Sequence, residues 1–291
     1  MKRITVIGAG NVGKVLGSAL KAKGYPLVAA FCRTAPSRQT AARVLQCPVY
    51  DDMAQAARVG DIVFITTPDR VIQEVCENIA AAGGFHSGQL VLHTSGAHSS
   101  EVLAAAREQG ARVLSFHPLQ TFPGLEVGLQ SLPGTFFTVE GDEAGFAAAA
   151  ELVTTFAGKM LHIPTEMKPL YHAAACVACN YLVSLMDVAL KMYAVMNISA
   201  ASAMEALSPL IQGTLRNIAS LGPQQALTGP ITRGDVSTIS CHLENMRQQC
   251  PELLPLYSEL GLYTVELALR KGTLGEKEAK EINQLLGGQV K

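Results

Sequence analysis

The sequence predicts an α/β domain, with a doubly wound and mainly parallel sheet, followed by an all-α domain. Short apolar runs rich in β-branched residues alternate with helical patterns over residues 1–163, as in a parallel sheet covered on both faces. No convincing strand follows Pro164, and the remaining chain reads as helices separated by proline and glycine. We therefore assign residues 1–163 to the α/β domain and 164–291 to the helical domain.

The predicted strands of the first domain end mostly at glycine or proline, which stop regular structure. Helical patterns follow most of them and bring the chain back for the next parallel strand. The strands are ITVIG (4–8), PLVAAFC (26–32), a short one at Val49, DIVFITT (61–67), QLVLHTS (89–95), ARVLSFH (111–117), TFFTVEG (135–141) and KMLHIP (159–164).

Helical periodicity dominates the second domain. Ser199 and Asp235 are suitable N-caps, and Gly272 is a suitable C-terminal stop. The predicted helices are about 166–196, 199–220, 234–249, 252–271 and 275–286.

Composition narrows the class of protein. With 23 basic and 24 acidic residues, the net charge of −1 gives no reason to expect nucleic acid as a partner. The seven cysteines are odd in number and irregularly spaced, so we expect no disulfide framework and a cytoplasmic location. The most apolar long segment, Tyr171–Met196, contains charged residues, so we expect no membrane span.

A glycine motif of the form G-x-G-x-x-G opens the first helix. Gly8 permits a tight turn, Gly10 lets a pyrophosphate approach the backbone, and Gly13 allows close packing of helix on strand. Asn11 and Val12 begin the helix, whose free N–H groups suit an anion. The alternative is a glycine turn without a ligand, but the position after an N-terminal strand favours dinucleotide binding.

The end of the second strand indicates which dinucleotide binds. NAD enzymes place an acid there for the ribose 2′-hydroxyl, whereas this chain has Cys32, Arg33 and Thr34. No carboxylate occurs between Gly13 and Asp51, and Arg33 could pair with a 2′-phosphate. The sequence therefore predicts NADP(H), unless Arg33 is an ordinary solvated residue.

Polar residues follow three other predicted strands, at the sheet edge where ligands bind in open parallel sheets. Thr67-Pro68 and Ser95 are candidates for contact with the cofactor, and His117 is a candidate for contact with the substrate. Each residue alone could be a turn former. Their joint placement at one edge favours the functional interpretation.

The first long helix of the second domain carries a candidate catalytic face. Lys168 and His172 lie one turn apart, and a lysine so placed can give a proton to an atom that receives hydride. Asn180 could border the same cleft. Cys176 and Cys179 with His172 also suggest zinc, but no fourth ligand is evident, so we predict no metal and assign the cysteines to packing. A solvated lysine and a packed histidine remain the plain alternative.

A second constellation is the constrained loop GPITRGD. Arg233 could clamp a carboxylate or phosphate, and Asp235 and His242 lie two turns apart on one helix face. They are candidates for substrate binding, the alternative being a capping turn with an incidental ion pair.

These stretches together resemble a known family. GAGNVG, CRT, TTPD, HTSG, FHPLQTF, KPLYHAAACVACNYL and GPITRGD occur in the order seen in Rossmann-like proteins with a C-terminal domain of unknown function 2520. The first half also resembles pyrroline-5-carboxylate reductase and other NADP oxidoreductases, and the helical half resembles the 6-phosphogluconate and β-hydroxyacid dehydrogenases. In that wider group a lysine and an asparagine one turn apart serve catalysis. Lys168 matches the lysine, but His172 stands where the asparagine would be.

The resemblance and the motifs together imply an NADP(H)-dependent oxidoreductase that reduces a carbonyl or imine of a small, anionic metabolite. One alternative is a non-catalytic NADP(H)-binding sensor or scaffold, and a narrower one is a pyrroline-5-carboxylate reductase-like imine reductase. The apolar length of residues 171–196 and its small side chains further predict a homodimer.

Overall fold

A computed structural model describes residues 1–287. The described chain divides into two compact units, the first ending at Cys179 and the second beginning at Asn180. The first unit thus extends beyond the predicted boundary at residue 163 and includes Lys168–Cys179. The reason is that this segment packs on the sheet, chiefly through the fully buried Lys168.

Eight strands form one sheet in the first unit, with the order β3-β2-β1-β4-β5-β6-β7-β8. All neighbours are parallel except β6 and β7, which are antiparallel. The predicted mainly parallel α/β architecture is confirmed. The strands are β1 Ile4–Ile7, β2 Leu27–Phe31, β3 Val49–Tyr50, β4 Ile62–Ile65, β5 Leu90–His93, β6 Arg112–Pro118, β7 Phe136–Gly141 and β8 Lys159–His162.

Helices return the chain between these strands and cover both faces of the sheet. They are α1 Asn11–Ala22, α2 Ala35–Leu45, α3 Met53–Arg58, α4 Ile72–Ala81, α5 Ala104–Glu108, α6 Leu125–Ser131 and α7 Phe146–Thr155.

Alternation along the central strands produces two apolar cores, one on each face. In β6, Leu114 and Phe116 belong to one core and Val113 to the other. Phe116 contacts the Phe137 ring at a centroid distance of 4.9 Å, so the first core continues across the antiparallel pair. Beyond Val113 the second face of β6 becomes polar, at Ser115 and His117.

The second unit is helical, as predicted. The predicted caps at Ser199, Asp235 and Gly272 are confirmed: Ser199 and Asp235 accept N–H bonds from the first turns, and Gly272 is left-handed with φ +79°. The helices are α9 Tyr181–Val195, α10 Ala200–Ala226 with a kink at Gly222, α11 Val236–Gln249, α12 Leu254–Lys271 and α13 Glu276–Leu285.

The segment between the sheet and α9 departs from the simple α-helix that the sequence predicts. Helix α8 covers Lys168–Ala175, and a π-helical turn follows at Cys176–Asn180. A π turn changes the angular step per residue, so positions beyond it leave the stripe extrapolated from Lys168 and His172. Asn180 is exposed, and its carbonyl accepts from Ser184 within the second unit.

One helical run within residues 1–287, Thr165–Val195, is long and apolar enough to cross a membrane, with a mean hydropathy of 1.7. This criterion uses length and composition only, so the expectation that the chain has no membrane span stays a prediction. The finding is weak evidence for a membrane, because ordinary core helices pass the same test.

Candidate functional site

The glycine motif forms the turn between β1 and α1, and each glycine meets a different constraint. Gly8 has φ +89°, and a Cβ there would lie 2.9 Å from the backbone nitrogen of Thr67. A Cβ on Gly13 would lie 2.9 Å from the Gly8 carbonyl oxygen. A Cβ on Gly10 would meet no protein atom within 4 Å. The fold therefore requires the first and third glycines, and space for a ligand is what Gly10 provides.

A cleft of about 590 Å³ extends from this turn along the ends of β1, β2 and β4. The predicted cofactor residues Gly8, Gly10, Asn11, Val12, Arg33, Thr34, Thr67 and Pro68 all line it, while Gly13 lies buried beneath. Its other lining residues are Ala9, Phe31, Cys32, Ser37, Met53, Thr66, Arg70, Val71, Glu74, Val75 and Asn78.

Two cations that line the cleft have side chains without a partner among residues 1–287: Arg33 at the end of β2, and Arg70, which follows β4. Arg33 is exposed, and its guanidinium makes no hydrogen bond or ion pair within residues 1–287. Neighbouring Arg38 is engaged, since it donates to the carbonyls of Cys32 and Arg33 and pairs with Asp51 at 3.4 Å. Thr34 caps α2 by accepting from the Ser37 N–H. The guanidinium of Arg33 is therefore free for an anionic group.

Asn11 has a structural role in addition to its place at the cleft. Its side-chain amide donates to the Phe122 carbonyl oxygen at 3.0 Å. This bond connects the turn between β1 and α1 to the loop that follows β6, the strand that carries His117. One N–H of the side-chain amide is therefore engaged within the protein.

Five polar side chains lie on one face of β5, β6 and β7, and we call them the polar strip: His93, Ser115, His117, Thr138 and Glu140. Strand register places His93 beside Ser115, Ser115 opposite Glu140, and His117 opposite Thr138. All are fully or nearly fully buried except His117, which is partly exposed at the carboxyl end of β6. A polar layer inside an α/β sheet is costly to bury, so each member needs partners.

Glu140 has its partners within the first unit. Its carboxylate accepts from the Ser100 N–H at 2.7 Å, the Ser100 hydroxyl at 2.9 Å and the Thr165 hydroxyl at 2.9 Å. Burial lowers the pKa of His93 to about 3, so this ring is neutral. Its Nδ1 accepts from the Ser95 N–H, which leaves Nε2–H to donate to the Ser99 carbonyl.

Lys168, on α8, places a cation against the polar strip. It is 0% exposed, and its Nζ donates to Ser115 Oγ at 2.6 Å. Burial lowers its pKa to about 8, opposed by the negative charges of Glu140 and Asp69. The plain alternative of a solvated surface lysine is thus wrong. Direct proton donation by Lys168 stays a prediction, although its Nζ is enclosed in this arrangement.

His117 lies at the open end of the strip and is bonded to Tyr171. The His117 Nδ1 and the Tyr171 hydroxyl are 2.8 Å apart. Burial and the nearby Lys168 charge lower the pKa of His117 to about 3, so the ring is neutral at physiological pH. Tyr171 was not among the predicted site residues, although it lies three residues after Lys168 and therefore on the same helix face.

Gly96 brings backbone against both candidate histidines. A Cβ there would lie 2.5 Å from His172 Nδ1 and 2.9 Å from His117 Nε2. His172 Nδ1 is buried and has no partner within the described chain, whereas its Nε2 is 3.5 Å from Cys176 Sγ. The structure thus brings His172 and His117 together, with ring centroids 6.4 Å apart.

Ser95 is occupied by the turn in which it lies. Its hydroxyl donates to Asp69 at 2.7 Å and accepts from the N–H groups of Ala97 and His98. With those three bonds in place, the Ser95 hydroxyl stabilises its own turn. The predicted contact of this hydroxyl with the cofactor does not fit this arrangement.

The second predicted constellation does not form a cluster. Asp235 caps α11 by accepting from the hydroxyl and the N–H of Thr238, and these bonds lower its carboxyl pKa to about 2. His242 is exposed and bonds instead to the Tyr257 hydroxyl at 2.8 Å. Arg233 forms no salt bridge among residues 1–287. The capping alternative holds for Asp235.

Metal ligands were not predicted, and the described chain contains no group of three or more His, Cys, Asp or Glu residues suited to hold a metal. Cys176 and Cys179 are free thiols, and Cys179 is exposed, so packing in an apolar core does not explain that residue.

Comparison with known proteins identifies the two halves of the chain. The family model of a Rossmann-like domain matches residues 2–118, and that of the domain of unknown function DUF2520 matches residues 135–264. No curated protein matches the sequence.

Solved structures share this fold over nearly the whole chain. A protein of Bacteroides fragilis, described as a candidate NADP oxidoreductase, has a TM-score of 0.74 at 24% identity and covers 91% of this chain and 98% of its own. A reductive aminase from Aspergillus terreus, in complex with NADPH and ethyl levulinate, has a TM-score of 0.67 at 18% identity, with 98% and 99% covered. A pyrroline-5-carboxylate reductase from Coxiella burnetii has a TM-score of 0.59 at 16% identity, with 99% of both chains covered.

Proposed function

We propose that this chain, whose two parts match a Rossmann-like domain and a DUF2520 domain, is an NADP(H)-dependent oxidoreductase. It would reduce a carbonyl or imine of a small metabolite. The observation that carries the proposal is the juxtaposition, within the first unit, of a dinucleotide cleft and a buried lysine–histidine–tyrosine group. The cleft lies at the ends of β1, β2 and β4. In the polar group, His117 is on β6, and Lys168 and Tyr171 are on α8.

The residues present fit a nicotinamide dinucleotide. Gly8 and Gly13 are required by the turn itself, while Gly10 leaves a space that only a ligand would fill. The first N–H groups of α1 face this space without a side-chain cap. When bound, such a cofactor supplies a hydride.

Arg33 supports the choice of the phosphorylated cofactor, because it is the cation without a partner at the β2 end of the cleft. Glu74 also lines the cleft, but it is on α4 and not at the end of β2, where an NAD enzyme has its acid. A charged hydrogen bond contributes about 1.5–3 kcal/mol, so NADPH should bind roughly ten- to a hundredfold more tightly than NADH.

The first prediction tests that preference. Arg33→Ala should remove most of the difference in dissociation constant between NADPH and NADH, as measured by fluorescence titration. Arg43→Ala removes the same charge from an exposed position on α2 outside the cleft, and should leave the preference intact. Equal affinities for both cofactors in the unaltered protein would exclude a 2′-phosphate site at Arg33.

The proton that completes the reduction is assigned to the group around Lys168, His117 and His172. Lys168 supplies positive charge beneath the site, and the two histidines border Gly96 at the edge where ligands bind. We do not extend the site to Asn180, because the π turn places it outside the helical stripe of Lys168.

A non-catalytic NADP(H) sensor is the main rival, and turnover separates the two. The purified protein is incubated with NADPH and a panel of 2-keto acids, aldehydes and cyclic imines, and absorbance at the NADPH band is followed. An oxidoreductase oxidises NADPH with at least one class, and Lys168→Ala slows that reaction by about a hundredfold or more. Tight NADPH binding without turnover on any class would favour the sensor. A preference for cyclic imines would favour the narrower imine reductase.

A further inference from the structure

We propose that the Tyr171 hydroxyl is the group that gives the proton to the reduced atom of the substrate, with His117 and Lys168 acting through it. This inference rests on the proposed reductase function and names the residue that touches the substrate. The wider dehydrogenase pattern points to Lys168 or His172 instead.

Position is the first argument. Tyr171 is partly exposed and projects from α8 to the carboxyl end of β6, where its hydroxyl lies 2.8 Å from His117 Nδ1. The Tyr171 and His117 rings meet edge to face with centroids 5.7 Å apart. The hydroxyl is thus held at the sheet edge where ligands of open α/β sheets bind.

The other proton-bearing groups near Tyr171 are enclosed by protein atoms. Lys168 Nζ is enclosed against Ser115, and the buried His172 Nδ1 faces the Gly96 backbone. His117 has Nδ1 occupied by Tyr171 and Nε2 against Gly96. Tyr171 combines a labile proton, partial exposure and a fixed position.

Charge is the second argument. Burial raises the pKa of Tyr171, so its hydroxyl stays protonated at neutral pH and is available as an acid. The Lys168 ammonium lies 5.4 Å from the Tyr171 ring centroid, where it stabilises negative charge on the phenol oxygen as the proton leaves.

A bound nicotinamide cofactor would supply the hydride for the new C–H bond at the substrate carbon and would itself be oxidised. The Tyr171 O–H bond breaks as its proton joins the substrate oxygen or nitrogen, and the phenol oxygen accepts a hydrogen bond from His117 in its Nδ1–H tautomer. Water then returns a proton to Tyr171, which is partly exposed.

The titratable groups around Tyr171 come from every strand end and helix that surrounds it. Lys168 and His172 lie on its own helix, and the others on the sheet and its loops: His93, His117, Glu140 and Asp69. His93 and His117 are neutral. The loss of the Lys168 charge near pH 8 therefore weakens Tyr171 as an acid.

The experiment compares Tyr171→Phe with the wild type on whichever ketone, aldehyde or cyclic imine of the panel the wild type reduces. Phenylalanine keeps the ring packed and removes the hydroxyl alone. We expect the single-turnover rate of NADPH oxidation to fall about a hundredfold or more, with the NADPH dissociation constant within about twofold of the wild type.

The chain offers a matched control. Tyr257 in the second unit bonds His242 Nδ1 at the same 2.8 Å, with ring centroids 6.1 Å apart, and no lysine contacts its ring among the described residues. Tyr257→Phe removes an equivalent tyrosine–histidine bond and should leave the rate unchanged.

The two proposals fail in different ways. A wild type that reduces nothing in the panel overturns both. An active wild type whose Tyr171→Phe variant loses less than tenfold in rate, or loses NADPH binding in parallel with rate, overturns the role of Tyr171 alone.

Discussion

At the scale of the residue, Lys168 is a costly side chain to bury in the first unit. It is fully enclosed, and burial lowers its pKa from the ordinary 10.5 to about 8. A shift of this size means that the folded state holds the proton less tightly than the unfolded chain, by about 3 kcal/mol. Such a cost is typical of functional sites, where stability is given up for a perturbed group.

The second prediction follows by linkage. The cost of Lys168 is fully present below pH 8, where both states are protonated, and is lost as the pH rises towards 10.5, because only the unfolded chain then holds the proton. Between pH 7 and 10 the wild type should therefore gain about 2 kcal/mol relative to Lys168→Met. Urea unfolding of both proteins at the two pH values measures this change.

An exposed lysine provides the comparison. Lys280→Met, on α13, should give the same difference from the wild type at both pH values. A Lys168→Met difference that is also independent of pH would show that the buried amine titrates normally.

At the scale of the element, the turn between β1 and α1 separates the needs of the fold from those of the ligand. Gly8 and Gly13 are hemmed in by protein atoms, while Gly10 has open space and an ordinary φ of −69°. The three glycines of one motif should thus respond differently to the same substitution.

The third prediction is that Gly10→Ala keeps the melting temperature of the wild type and weakens NADPH binding at least tenfold, because only the ligand meets the new methyl group. Gly8→Ala should lower the melting temperature, since its φ of +89° strains any Cβ and Thr67 crowds it. Calorimetry and fluorescence titration measure the two effects. Unfolding of Gly10→Ala, or unchanged NADPH affinity, would remove the distinction.

Much of the first unit could be predicted from the sequence because its signals are local. Apolar runs, glycine stops and the G-x-G-x-x-G turn depend on neighbours in the chain, and all reappear in the structure. The partners of Lys168 and Tyr171 could not be predicted in this way. Ser115 is 53 residues from Lys168, and His117 is 54 residues from Tyr171, so these bonds depend on strand order and register.

The helical stripe shows where periodicity itself misleads. A constant step of 100° per residue placed Cys176 and Cys179 on the face of Lys168 and His172, with Asn180 at the border of the same cleft. The π turn at Cys176–Asn180 changes that step, and the sequence gives no clear mark of it. Likewise Asp235 and His242 share a helix, yet bond to different partners.

At the scale of the whole molecule, α9 packs on the second unit through Val188 and Met192 and leaves other apolar side chains exposed. None of its residues is buried, and Tyr181 and Val183 are 58% and 70% exposed. Apolar patches of this kind mark interaction surfaces. We propose that a second copy of the chain covers it, giving the homodimer that the sequence predicted.

The fourth prediction is a particle of about 62 kDa in light scattering, twice the 30.8 kDa of one chain, at micromolar concentration. Val183→Arg should shift the particle towards the monomer mass by placing a charge in the apolar contact. Gln55→Arg adds the same charge on the exposed side of α3 and should leave the mass unchanged. A monomeric wild type would show that another surface or partner covers α9.

The order of the strands also governs how the chain can fold while it is being made. After β4 joins β1, each later strand from β5 to β8 lies beside the strand that precedes it in the chain. Every new strand can therefore pair as it leaves the ribosome, onto an edge that already exists, which keeps the loops to be closed short. Lys168 follows β8, so the charge that the sheet buries most expensively arrives after its Ser115 and Glu140 partners are in place. During synthesis from the N-terminus, the Lys168 ammonium is therefore not buried before Ser115 and Glu140 are present.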